Sequence, residues 1–130
     1  MKTIKQTYTI RAPIESVWKA LVDSKDIDGW GGGPATMTGK AGSKFKLWGG
    51  DVFGANTKVV KYKKLVQSWY GGKWEKPSQV SFTLTKEKNG TKVVLEHSDM
   101  PPKEAKNLDR GWKDYYMGPL KEYVESKSKK

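Results

Sequence analysis

The sequence predicts an α+β domain in which a curved antiparallel sheet of six to seven strands lies across a long C-terminal helix. The first observation behind this is the last quarter of the chain, PPKEAKNLDRGWKDYYMGPLKEYVE. It opens on two prolines and then sets Leu108, Trp112, Tyr115, Tyr116, Leu120, Tyr123 and Val124 at helical spacing among charged residues. At about 1.5 Å per residue such a helix runs on the order of 35 Å, and a wide apolar stripe of that length needs a sheet as its cover. The second is that residues 35–98 alternate in short segments between turn signals, as an antiparallel meander does. The third is size: 130 residues at 35% apolar fit one domain that can bury a core without staples. The domain is placed at 1–126, with a disordered basic tail at 127–130.

Taken in order, Lys2 to Arg11 alternate with Ile4, Gln6, Tyr8 and Ile10 on one side, the pattern of a half-buried strand. Pro13 starts a helix whose apolar face is Ile14, Val17, Trp18 and Leu21, and Ser24 reads as the cap of a second short helix through Ile27. The GWGGGP stretch from Gly29 to Pro34 lacks both the GxGxxG and the GK[ST] pattern and leads toward a strand, so it reads as a flexible turn and not a phosphate loop. Trp30 within it is too large for a mere linker and is expected to plug the core edge or the mouth of a pocket. Strands are expected at 35–39, 44–49, 51–62, 64–71, 78–86 and 91–98, with Asn89-Gly90 as the turn of the last hairpin. Inside the long helix, Gly111 is expected to allow a close approach to the sheet or the short helices, and Gly118-Pro119 to bend the helix along a curved sheet.

Composition excludes several chemistries. The absence of cysteine removes disulfides and thiolate catalysis, and with a single histidine it leaves no basis for a structural zinc site. No apolar run has the form of a signal peptide or reaches the ~18 residues of a membrane span, which points to a cytoplasmic protein with no membrane insertion. The net charge of +11 favours acidic partners, although the lysines are spread and not clustered. In the densest group, Lys58, Lys61, Lys63 and Lys64, alternation puts lysines and apolar residues on opposite faces, so no specific nucleic acid is expected.

The candidate chemistry is sparse. His97 shares a strand face with Val93 and Leu95, while Glu96 points away, so a hydrogen-bonded or ligand-orienting role is favoured over catalysis. Asp23, Asp26 and Asp28 lack the spacing of a calcium loop and read as helix caps and dipole partners. No catalytic residue, metal ligand or cofactor is assigned.

Several segments carry a family resemblance: APIESVWKALVDSKDIDGW, GGPATMTGKAGSKFKLWGGDVFG, LVQSWYGGKW and GWKDYYMGPLKEYVE. Together they resemble the activators of the heat-shock protein 90 ATPase, in their single-domain Aha-type branch, over nearly the whole chain. Many relatives carry two adjacent tryptophans before Gly-Pro, where this chain has Trp30 followed by three glycines. The resemblance implies the helix-grip fold of the START-like (SRPBCC) superfamily: one strand, two short helices, six strands and the gripped helix. It also implies a cavity between sheet and helix. By strand and helix pattern its lining candidates are Tyr8, Trp30, Phe45, Leu47, Val66, Tyr70, Phe82, Leu95, His97, Leu108, Trp112 and Tyr116. The leading functional expectation is a non-enzymatic domain that binds a hydrophobic or amphipathic small molecule there. The alternative is a co-chaperone-like interaction module that meets an acidic chaperone surface and modulates a heat-shock protein 90-type ATPase. An enzyme of cyclase or hydrolase type ranks third, because His97 alone hardly supplies the acid or base it would need.

Overall fold

The computed structural model describes residues 3–71 and 74–128. Strand β1 (Thr3–Ile10) runs into helices α1 (Ile14–Val22) and α2 (Ser24–Trp30). The strands β2 (Lys44–Leu47), β3 (Val52–Val60), β4 (Lys64–Gly71), β5 (Ser78–Glu87) and β6 (Gly90–Ser98) follow as a meander. They form one antiparallel sheet in the order β1-β6-β5-β4-β3-β2, so the first strand closes against the last and the two short helices carry the chain to the opposite edge. The C-terminal helix begins with a 3₁₀ turn at Pro102–Glu104, continues as α3 (Ala105–Gly111), widens into a π-helical turn at Trp112–Met117 and ends as α4 (Gly118–Ser128). No described helix is long and apolar enough to cross a membrane.

One face of the sheet makes the core. Phe45, Leu47, Leu65, Val80, Phe82, Val93 and Leu95 are buried, and so are Val17, Leu21 and Ile27 from the short helices and Trp112, Tyr116, Leu120 and Val124 from the long one. Alternation along each strand puts these residues on the helix side, and the hydrophobic effect holds the layers together.

The segment 35–39 is not a strand. It makes a single bridge, Thr36 to Lys46, because its flanking backbone is claimed by α2. Asp28 Oδ1 accepts the Ala35 N–H at 2.9 Å, and the Ser24 hydroxyl accepts the Met37 N–H at 2.8 Å while donating to the Met37 carbonyl. Ser24 is therefore occupied, and Asp23 is the cap of α2, accepting the Asp26 N–H at 3.1 Å. That helix runs on to Trp30, so Gly29 and Trp30 are helical and the loop starts later. The expected strand through Gly49 stops at Leu47, where a 3₁₀ turn at Trp48–Gly50 takes over. Lys61 to Lys63 form the β3–β4 turn, and their charges stand at a sheet end instead of along a strand.

Two glycines of the long helix behave differently. A Cβ on Gly111 would meet nothing within 4 Å, so this glycine leaves open space and does not serve a close approach. A Cβ on Gly118 would overlap the Lys113 carbonyl oxygen, which accepts the Gly118 N–H in the i→i−5 pattern of a π turn. The wide turn is how the helix takes in Pro119, which has no N–H to offer. Lys127 and Ser128, the expected start of the basic tail, belong to α4, and residues 129–130 lie outside the described residues.

Candidate functional site

The interior between sheet and helix is filled by rings. Trp112 lies 4.6 Å from Tyr116, 5.3 Å from Trp69 and 5.8 Å from Phe82, centroid to centroid. Trp30 packs at 4.7 Å from Tyr116, and its indole N–H donates to the Ala20 carbonyl at 2.9 Å, so the aromatic of the glycine-rich stretch plugs the core edge. Such contacts add a modest directional term to a large apolar burial.

Beneath these rings lies a buried polar chain. The Trp112 Nε1–H donates to His97 Nδ1 at 2.9 Å, and His97 Nε2 lies 2.7 Å from the Ser78 hydroxyl. Ser78 Oγ is in turn 2.7 Å from the Trp69 carbonyl, which it donates to. An indole N–H can only donate, so Nδ1 must accept, the imidazole proton sits on Nε2, and every group in the chain is satisfied in one direction. Burial lowers the His97 pKa from 6.5 to about 4, which keeps the ring neutral. His97 thus fastens the helix to the sheet at the point where Trp112 crosses it.

An open groove of about 270 Å³ lies beside this filled interior. Trp48, Val52 and Trp69 form its sheet side, and Leu108, Gly111, Trp112, Tyr115 and Tyr116 its helix side, with Asp51 and Asn107 as polar members. Gly111 adds no side chain to its wall, and the space beside its Cα is open. Tyr115 stands 69% exposed beside it, an unusual position for a large aromatic. Two buried donors among the lining residues, Trp69 Nε1 and Tyr116 Oη, have no hydrogen-bond partner among the described residues. Burial pushes the Tyr116 phenol pKa up, so it stays a neutral O–H. The groove can hold an apolar group, and the two unpartnered donors lie buried behind its wall.

Of the twelve lining candidates, Leu108, Trp112 and Tyr116 border this groove. Trp30, Phe45, Leu47, Phe82, Leu95 and His97 are buried in the filled interior. Tyr8 is half-buried and bonds the Gln6 side-chain carbonyl, whose amide donates to the backbone and carboxylate oxygens of Asp109, each at 2.7 Å. Val66 and Tyr70 lie on the other face of the sheet, since the inward residues of β4 are Leu65, Gln67 and Trp69. Gln67 explains the inversion. Its amide donates to Asn56 Oδ1 at 3.0 Å, and Asn56 donates to the Thr38 carbonyl at 2.8 Å, so a polar residue occupies an inward slot. Trp48, Trp69 and Tyr115 are groove residues that the sequence pattern misses. Trp69 was reachable by alternation from Leu65, whereas nothing local marks the exposure of Tyr115. The acidic trio is dispersed: Asp23 caps α2, Asp28 holds Ala35, and Asp26 accepts the Tyr123 hydroxyl at 3.2 Å.

The family model described as Activator of Hsp90 ATPase homolog 1-like protein matches residues 11–125. A human relative, Activator of 90 kDa heat shock protein ATPase homolog 1, is 29% identical over 92% of this chain. The match covers 36% of that relative, so the chain spans about a third of its length. Among solved structures, an HSP90 activator from Plasmodium falciparum superposes with a TM-score of 0.84 at 24% identity, over 92% of this chain and 94% of the other. The Aha1 dimer from Colwellia psychrerythraea gives 0.82 at 24% identity, over 96% and 97%. These similarities fix the helix-grip architecture.

Proposed function

The chain belongs to the Activator of Hsp90 ATPase homolog 1-like family, and from that premise we propose that it is an interaction module that modulates the ATPase of an Hsp90-type chaperone. The observation that carries this is the extent of the family match, which takes in both short helices, the whole meander and the gripped helix. The net charge of +11 supports it, since a basic module meets an acidic chaperone surface with fast, salt-sensitive association. The test is the ATPase rate of the cognate Hsp90-type chaperone with and without this protein. A rise that saturates with added protein is expected, and an unchanged rate at saturating protein removes the proposal.

A second reading rests on the groove. Its apolar walls, the open space beside Gly111 and the two unpartnered donors suit a small hydrophobic or amphipathic molecule that carries a hydrogen-bond acceptor. At about 270 Å³ it suits a compact ring system better than a long chain. Native mass spectrometry after gentle purification, followed by titration with fatty acids and flavonoid-like rings, tests this reading. Absence of any binder ends it.

A further inference from the structure

We infer that the face of the sheet turned away from the helices is the docking surface for an acidic face of the chaperone partner. The inference rests on the chaperone reading above and assigns that reading a place on the molecule.

The outward residues of the six strands follow from the register, and none of them is buried. Six are lysines: Lys5, Lys44, Lys46, Lys58, Lys64 and Lys92. The outward carboxylates are Glu87 and Glu96, both on the β5–β6 hairpin, so the β2–β4 half carries Lys44, Lys46, Lys58 and Lys64 with no outward carboxylate. Among the described residues the ion pair present is Lys121 with Glu125 on α4, so none of these strand lysines is held in an ion pair, although Glu96 faces Lys5 across the β1–β6 pair.

The same half holds an apolar centre. Phe53 lies opposite Lys46 on one side and Tyr70 on the other, and the two rings stack with centroids 4.9 Å apart and planes 6° from parallel. Phe53 is 37% exposed and is among the few large apolar residues left on the surface. Two aromatic rings bordered by lysines have the composition of an interface centre with a charged rim. Strands ~4.8 Å apart and ~3.4 Å per residue make the face about 25 Å on a side. That is on the order of 600 Å², close to the ~800 Å² that one partner contributes to a standard interface.

Lysines and rings on a sheet are also the materials of single-stranded nucleic-acid platforms, which need free ring faces for bases to stack on. Here each ring spends one face on the other, so the geometry favours an acidic protein.

The experiment compares the wild-type chain with two triple variants of equal charge change, Lys44→Glu/Lys46→Glu/Lys58→Glu on the sheet and Lys103→Glu/Lys106→Glu/Lys113→Glu on the helix. All six side chains are exposed, and circular dichroism confirms folding. Affinity for the cognate Hsp90-type chaperone is measured across a salt series. The sheet variant is expected to lose about tenfold or more in affinity and most of its salt dependence, and the helix variant less than about threefold. Equal loss in both variants, or none in the sheet variant, overturns the inference while the chaperone reading stands. No association by the wild-type chain removes both. Loss of a labelled single-stranded oligonucleotide by the sheet variant, with chaperone affinity unchanged, overturns the inference and reassigns the face to nucleic acid.

Discussion

The single histidine makes one prediction unusually clean. In the fold, His97 is held neutral by burial, with its pKa at about 4 against 6.5 for the free side chain. Between those values the unfolded chain takes up a proton that the folded chain refuses. Its contribution to stability is therefore complete above about pH 6.5, falls as pH drops, and levels off near pH 4. The difference amounts to roughly 3 kcal/mol, a large share of the 5–15 kcal/mol typical of a domain. Geometry gives the same sign, because an imidazolium would set an N–H at Nδ1 against the Trp112 N–H that donates to it at 2.9 Å. The direct assay is NMR titration of the one imidazole in the folded protein, with no competing histidine signal. The ring is expected to stay neutral as the Nε2–H tautomer down to about pH 5. Urea unfolding at pH 7.5 and pH 5 should show roughly 2 kcal/mol of this loss, with the carboxylates contributing little above pH 5. A native-state midpoint near 6.5, or the Nδ1–H tautomer, would refute both the burial argument and the donor order of the chain from Trp112 to Trp69.

Gly111→Ala is expected to stabilise by about 1 kcal/mol, since the added methyl enters open space at an ordinary helical position, and thus to raise Tm by roughly 4 °C. Gly118→Ala should destabilise by roughly 1–3 kcal/mol, because its methyl overlaps the Lys113 carbonyl, and calorimetry on the pair should show opposite signs. Trp112→Ala should cost about 3–5 kcal/mol through the cavity left among Trp69, Phe82 and Tyr116. Trp112→Phe should cost about 1–3 kcal/mol, for the lost ring volume and the donor taken from His97; denaturant titration separates the two.

The architecture was legible because long-range periodicity marks it. The C-terminal stripe from Leu108 to Val124 and the hairpin around Asn89-Gly90 each carry enough repeats for one contrary residue not to matter. Where pattern misleads, a side chain has a partner distant in sequence. Gln67 turns inward because Asn56 meets it there, and without that bond Val66 and Tyr70 are as plausible on the core face. Ser24 resembles a cap, yet Met37 takes its hydroxyl and Asp23 replaces it. The segment 35–39 alternates like a strand, but α2 side chains hold its backbone on either side of the single bridge. The groove was the least legible feature. It is bounded by three separate stretches around Trp48, Trp69 and Gly111, which no local apolar pattern brings together.

The polar tips of the aromatic residues in and around the filled interior fall into two sets. Trp30, Trp48 and Trp112 each spend the indole N–H on a partner in the fold: the Ala20 carbonyl, the Gly31 carbonyl and His97. Trp69 and Tyr116 do not, although Trp48 and Trp112 border the groove as they do. A buried hydroxyl without a partner costs about 1–3 kcal/mol, so removing it should cost the ligand-free protein nothing. Tyr116→Phe is therefore expected to leave stability unchanged or to raise it by up to about 1 kcal/mol, measured by denaturant titration. The same substitution should weaken any groove ligand that accepts from this hydroxyl by about 5–10-fold, while a purely apolar ligand is unaffected. A loss of more than about 1 kcal/mol in the ligand-free protein would mean that the hydroxyl already has a buried partner. In that event the rings around Tyr116 serve the fold alone, the small-molecule reading loses its polar anchor, and the work of the domain falls to its surface.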